Sequence, residues 1–195
     1  MRKLVVVEML SLDGVMQGPG GPDEDRSGGF EHGGWAMPYG DEVFLERAGK
    51  GMAETDAQLF GRKTYEIMAS YWPNAPADDP FAKHLNAVRK YVASSTLSEP
   101  LSWENSTLLR GDVATAVAEL KQQPGKNISV LGSGDLVQAL IANDLVDEFS
   151  LMVAPIVLGS GTRLFRRADD VRRLELVDAV TTTTGAQLLT YRPLR

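Results

Sequence analysis

Two short stretches decide how this chain reads: Leu59-Phe60-Gly61-Arg62-Lys63-Thr64-Tyr65-Glu66 and Val130-Leu131-Gly132-Ser133-Gly134-Asp135-Leu136. In each, an apolar run of strand type stops at a glycine and helix-forming residues follow at once. A helix start leaves backbone N–H groups without intrahelical partners and carries positive partial charge, so a phosphate is a natural guest there. Glycine lets the backbone approach such a guest closely. Arg62 and Lys63 add formal charge, and Thr64 adds a hydroxyl. Taken alone, each stretch also fits an ordinary β–α turn with solvated side chains. The second is not the Rossmann fingerprint, because Gly132-Ser133-Gly134 runs on into Asp135, Leu136 and Val137 without a third glycine. Two such junctions in one chain suit a ligand with two phosphate regions, bound where strands end.

The flanking sequence supplies the rest of an α/β pattern. Residues 4–10 are β-branched and apolar and meet Ser11-Leu12-Asp13-Gly14, which predicts a buried strand entering a loop. Residues 17–34 are rich in Gly, Pro and charge, which predicts a long surface loop with little core, either a lid or a disordered insertion. Helices are expected over 41–52, 62–71, 81–87, 112–122 and 135–142, and strands over 57–60, 90–94, 106–109, 127–131 and 146–154. Two closing strands, 174–183 and 186–192, meet at Thr184-Gly185. Strands that alternate with helices imply a largely parallel sheet covered on both faces. The chain shows no linker and no repeat, so one domain over 1–195 is expected.

Three further segments can carry chemistry. Ser94, Ser95 and Thr96 follow a strand and offer three hydroxyls, or simply a polar turn. Trp35-Ala36-Met37-Pro38 leads to Asp41 and Glu42. Asp41 is a candidate for proton relay or substrate anchoring, and equally for a helix cap. Arg163, in the Gly/Pro loop after 146–154, can meet an anionic group or stay solvated.

Composition removes several classes. No cysteine is present, so there are no disulfides, thiolate zinc sites or cysteine nucleophiles, and a reducing compartment such as the cytoplasm is suited. A net charge of −6 argues against nucleic acid, whose phosphates demand surplus Lys and Arg. The apolar runs are too short for a membrane span, and the run after Met1-Arg2-Lys3 meets Glu8 too early for a signal peptide. His32 and His84 have no metal-ligand spacing, and no Gly-x-Ser-x-Gly elbow occurs, so no metal site is expected.

The pairing of Gly-Arg-Lys-Thr-Tyr-Glu at 61–66 with Gly-Ser-Gly-Asp-Leu at 132–136 resembles the dihydrofolate reductase superfamily. Val-Asp-Glu-Phe at 146–149, with Pro-Ile-Val-Leu-Gly-Ser-Gly-Thr-Arg-Leu-Phe at 155–165, looks more specifically like the reductase domain of riboflavin biosynthesis, here without its deaminase half. The resemblance implies a three-layer α/β fold with a mostly parallel mixed sheet of about eight strands and a C-terminal antiparallel hairpin. It implies an NADPH-dependent reductase of a small pteridine- or aminopyrimidine-like substrate, and a homodimer. Gly61, Arg62, Lys63 and Thr64 would face the cofactor phosphates, with Ser94, Ser95 and Thr96 near the 2′-phosphate. Gly132, Ser133, Gly134, Asp135 and Leu136 would cradle the pyrophosphate. Asp13 and Val15 would border nicotinamide and substrate, and Trp35 with Pro38 resembles the segment before the folate-anchoring acid. That acid is displaced, since Gly40 stands two after Pro38 and Asp41 follows it. The displacement argues against dihydrofolate itself. It also keeps open a non-catalytic nucleotide-binding module.

Overall fold

A computed structural model describes residues 1–166 and 171–194. Each strand-to-helix change in the apolar period becomes an element. In chain order these are β1 (Leu4–Ser11), α1 (Glu42–Ala53), β2 (Thr55–Gly61), α2 (Arg62–Tyr71), α3 (Pro80–Ala87), β3 (Arg89–Ala93), β4 (Ser106–Leu109), α4 (Val113–Gln122), β5 (Asn127–Leu131), α5 (Gly134–Ala142), β6 (Glu148–Ala154), β7 (Leu174–Thr181) and β8 (Gln187–Pro193). The eight strands make a mixed sheet in the order β4-β3-β2-β5-β1-β6-β8-β7. The expected α/β fold and closing hairpin are therefore present. Strand ends move by a residue or two, as at β7, which stops at Thr181 because residues 182–186 form the turn, with Gly185 at φ 85°. Two compact units divide the chain: Met1–Val5 with Gly51–Leu145, and Val6–Lys50 with Val146–Arg195.

In the first unit β2 pairs in parallel with β3 and with β5, and β3 pairs in parallel with β4. Register places Phe60 beside Val92 and Val92 beside Leu108. This row packs with Tyr65, Leu85 and Trp103 into a core. Two residues back along the strands, on the same face, a second row runs Ser129, Gln58, Lys90 and Ser106. Lys90 is wholly buried. Its Nζ donates to Val88 O at 2.9 Å and Asn86 O at 3.3 Å and lies 4.6 Å from the Trp103 ring centroid. The ammonium thus serves the carboxyl end of α3, where a cation is favoured. Burial pulls its pKa down to about 8.

In the second unit β8 pairs antiparallel with both β6 and β7. Val15, Phe30, Trp35, Ala36, Met152, Ala154, Ala186 and Leu188 form its core. The loop over 17–34 departs from the expectation of little core. Phe30 is buried in that cluster, and Gln17 is buried beneath the loop. The Gln17 Nε2 donates to Ser27 O at 2.9 Å and Asp25 O at 3.3 Å, while its Oε1 accepts from Thr162 N at 3.0 Å. One internal amide replaces the ladder bonds that the segment lacks, so a single aromatic can anchor it. Among the described residues no helix is long and apolar enough to cross a membrane.

Candidate functional site

Because β2, β3 and β5 are parallel, their carboxyl ends lie along one edge, with Gly61 beside Ala93 in register. The two glycine junctions meet there through the side chains of Ser133 and Thr64. Ser133 Oγ accepts from Gly61 N at 2.9 Å and donates to Leu131 O at 3.0 Å, and Ser133 N donates to Thr64 Oγ1 at 2.8 Å. Gly132 and Ser133 are both left-handed, with φ of 57° and 62°. A Cβ at position 132 would stand 2.9 Å from Thr64 Cγ2, so glycine is required twice over, by conformation and by space. Ser133 tolerates the same region because its hydrogen bonds hold it there.

The helix starts divide by their caps. Asp41, Asp79 and Asp112 each place a carboxylate oxygen on backbone N–H groups at the start of α1, α3 and α4. The helices led by the glycine junctions, α2 and α5, have no side-chain cap. They are the two whose first turns sit at the tied junctions. An uncapped start is where a phosphate oxygen replaces the missing side-chain acceptor.

The flanking polar residues are only partly as expected. Ser94 Oγ accepts from Thr96 N at 3.2 Å and Leu97 N at 3.1 Å, so that hydroxyl shapes the turn, while Ser95 and Thr96 are exposed. Arg62 and Lys63 are exposed on the first turn of α2, and Arg62 pairs with Glu66 at 2.8 Å. An exposed i,i+4 pair is weak and yields readily to a better anion.

In the second unit the expected substrate residues are spent on the protein itself. Asp13 Oδ1 accepts from Ser11 Oγ at 2.7 Å and Leu158 N at 3.0 Å, and its Oδ2 accepts from Gly159 N at 3.0 Å. Arg163 donates to Asp13 O at 2.8 Å and to Asp13 Oδ2 at 3.2 Å. The two form a strut between the loops after β1 and β6. The hydroxyl of Ser11, then the Leu158 and Gly159 amides, hold the Asp13 carboxyl well below the usual range. Val15 is fully buried in the core and bridges Arg163 through its backbone. Trp35 is buried, with Nε1 donating to Gln17 O at 2.8 Å, and is core.

Asp41 takes the capping position that the sequence also allowed. Its Oδ1 accepts from Phe44 N at 2.9 Å, and its Oδ2 accepts from Thr183 N at 2.7 Å and Thr183 Oγ1 at 2.6 Å. The Thr183 hydroxyl, then the Phe44 amide, lower its pKa. In this structure both oxygens of Asp41 are engaged, and the carboxylate caps α1.

A further titratable group lies inside the sheet. Glu8 on β1 is buried, its Oε1 has no hydrogen-bond partner, and its pKa is raised well above the ordinary value, by burial first and by the charge of Glu24 second. The signal was a lone acid inside an otherwise apolar strand.

Comparison with known proteins follows the same lines. The RibD C-terminal domain family matches residues 2–188. The chain belongs to that family. Among curated relatives, the uncharacterized protein YyaP of Bacillus subtilis (strain 168) is 28% identical over 194 residues, covering 97% of this chain and 94% of its own. YwjB of the same organism is 31% identical over 121 residues, covering 62% and 64%. Two solved structures share the fold of this RibD C-terminal domain. One, from Shewanella sp. PV-4 and assigned to riboflavin biosynthesis, has a TM-score of 0.71 at 23% identity and covers 99% of both chains. The other, a pyrimidine reductase-like protein from Corynebacterium diphtheriae NCTC, has a TM-score of 0.70 at 14% identity and covers 100% of this chain and 92% of its own. The membership supports a reductase-type role.

Proposed function

We propose that this RibD C-terminal domain is an NADPH-dependent reductase of a small heterocyclic substrate of the aminopyrimidine or pteridine kind. The observation that carries the reading is the pair of uncapped, glycine-led helix starts bonded to one another through Ser133. Bound NADPH would supply the hydride. The backbone of Gly61 to Thr64 and of Gly132 to Leu136 would hold its phosphates by oriented amides. Arg62, Lys63, Ser95 and Thr96 would offer charge and hydroxyls to a 2′-phosphate. The cofactor carries the redox chemistry, and the chain binds and orients it. Family membership supports the reductase class, and the Corynebacterium protein's own description supports a pyrimidine-type substrate.

Titration with NADPH, read by nicotinamide fluorescence, tests the proposal: saturable binding is expected, and none at about millimolar cofactor overturns it. A non-catalytic nucleotide-binding module is the second reading, favoured by the conversion of Asp41 into a cap. It falls if NADPH is oxidised with any pterin or ribosylaminouracil compound. A cytoplasmic homodimer belongs to the proposal as well. The exposed Leu176, Val177 and Val180 of β7 support an interface, and light scattering checks it.

A further inference from the structure

Among the described residues, three other than glycine have a left-handed backbone: Asn105, Ser133 and Asp144. Asparagine and aspartate visit that region readily, whereas serine does so under strain. Glycine would hold the φ 62° and ψ 41° of position 133 without strain, so a serine there has to gain something from its side chain. That side chain does not serve its own helix. Serine is a favoured helix cap when its backbone is extended and its hydroxyl turns onto the first-turn amides. Ser133 holds the cap position of α5, and its carbonyl accepts from Val137 N at 2.9 Å, yet its hydroxyl makes no capping bond. It turns to the other junction, where it accepts from Gly61 N at 2.9 Å while donating to Leu131 O at 3.0 Å. Gly61 is the converse case. Its backbone has the extended cap conformation, with φ −76° and ψ 160°, and no side chain to cap with. One cap position has the conformation without the side chain, and the other has the side chain without the conformation. Both helices therefore begin without a side-chain cap.

The same residue fixes how far apart the two starts lie. Ser133 N donates to Thr64 Oγ1 at 2.8 Å, so Ser133 clamps α2 at Gly61 and at Thr64, and its bond to Leu131 O anchors the clamp to the end of β5. A Cβ at position 61 would stand 3.7 Å from the Cβ atoms of Ser133 and Leu136, so the junctions are already in contact. All of these residues belong to the first unit. We propose that Ser133 is the positioning residue of the cofactor site, holding the starts of α2 and α5 at the spacing that the two phosphate regions of a dinucleotide require together. The inference rests on the reading of this site as one for NADPH. A ligand held at two points gains over its halves only while those points are fixed relative to one another, since slack between them has to be frozen out on binding. Ser133 thus acts through the backbone of both junctions and favours the whole dinucleotide over a fragment with one phosphate region.

Ser133→Gly relieves the left-handed strain and removes the hydroxyl, which leaves a folded chain with a loosened clamp. NADPH affinity is read by nicotinamide fluorescence. The affinity of adenosine 2′-phosphate, which has one phosphate region, is read by its competition with NADPH. In Ser133→Gly, NADPH binding weakens by about tenfold and adenosine 2′-phosphate binding by no more than about twofold. The ratio of the two affinities is the readout, because a general loss of structure lowers both alike. Ser133→Ala removes the hydroxyl and keeps the strain. It gives the same change of ratio with a lower melting temperature, and it carries the test alone should Ser133→Gly not fold. Equal losses for the two ligands, or no loss for either, overturn the positioning role and leave the cofactor reading in place. A native chain that binds neither ligand overturns the cofactor reading and the positioning role with it.

Discussion

Thr64 contributes one methyl and one hydroxyl to the place where the two junctions meet, and the hydroxyl is the acceptor for Ser133 N. Thr64→Val keeps the shape and removes the acceptor. The loss leaves a part-buried N–H without its partner, which costs about 1–3 kcal/mol, seen as a lower melting temperature together with weaker NADPH binding. Asp13→Asn tests the strut to Arg163. The folded Asp13 carboxyl has a pKa below its unfolded value, so its contribution is present above the ordinary carboxylate range and is lost as pH falls through the folded value. The native protein should therefore lose stability in acid more steeply than the variant, by thermal melts across pH. Position by position, the glycine junctions were legible as strand-to-helix changes, and Gly132 in addition needs a left-handed conformation. The distant partners of Asp13, Asp41 and Arg163 were not, since Leu158, Thr183 and Asp13 respectively lie more than a hundred positions away along the chain. Sequence also offered no reason to expect that Ser133 would tie the two turns.

Among the helices, capping separates support from function. Asp79→Ala removes the acceptor of Phe81 N and Ala82 N and should cost about 1 kcal/mol without altering NADPH affinity. Gly61→Asp installs a cap on α2. The backbone there is extended, with φ −76°, and a Cβ meets only ordinary contacts at 3.7 Å, so aspartate fits. Stability should hold or rise by a few tenths of a kcal/mol, while NADPH affinity falls at least about tenfold as a carboxylate takes the phosphate's place. Equal NADPH affinity for Gly61→Asp and the native protein would count heavily against the phosphate role. Element types were readable from period and caps: α4 starts at its capping Asp112 as expected. The loop over 17–34 misled because its composition is polar, and one glutamine and one phenylalanine decide its packing.

For the whole molecule the proposal has a thermodynamic signature. A ligand bound only by the native state at a hundred times its dissociation constant stabilises by about 2.7 kcal/mol. For a chain of this size that shift raises the melting temperature by roughly 5–10 °C. NADPH should do so, and NADH less, if Arg62, Lys63, Ser95 and Thr96 read the 2′-phosphate. The row of Ser129, Gln58, Lys90 and Ser106 carries a further consequence at this scale. Parallel strands with greasy surfaces on both sides can slide past one another with little to choose between alignments. Here a slip of one position would turn an ammonium and an amide over to the opposite side of the layer, away from the carbonyls of Asn86 and Val88 that receive the lysine's protons. The internal lysine therefore acts as an indexing pin for assembly, and its replacement by methionine should show first as heterogeneous refolding rather than as a change in ligand binding.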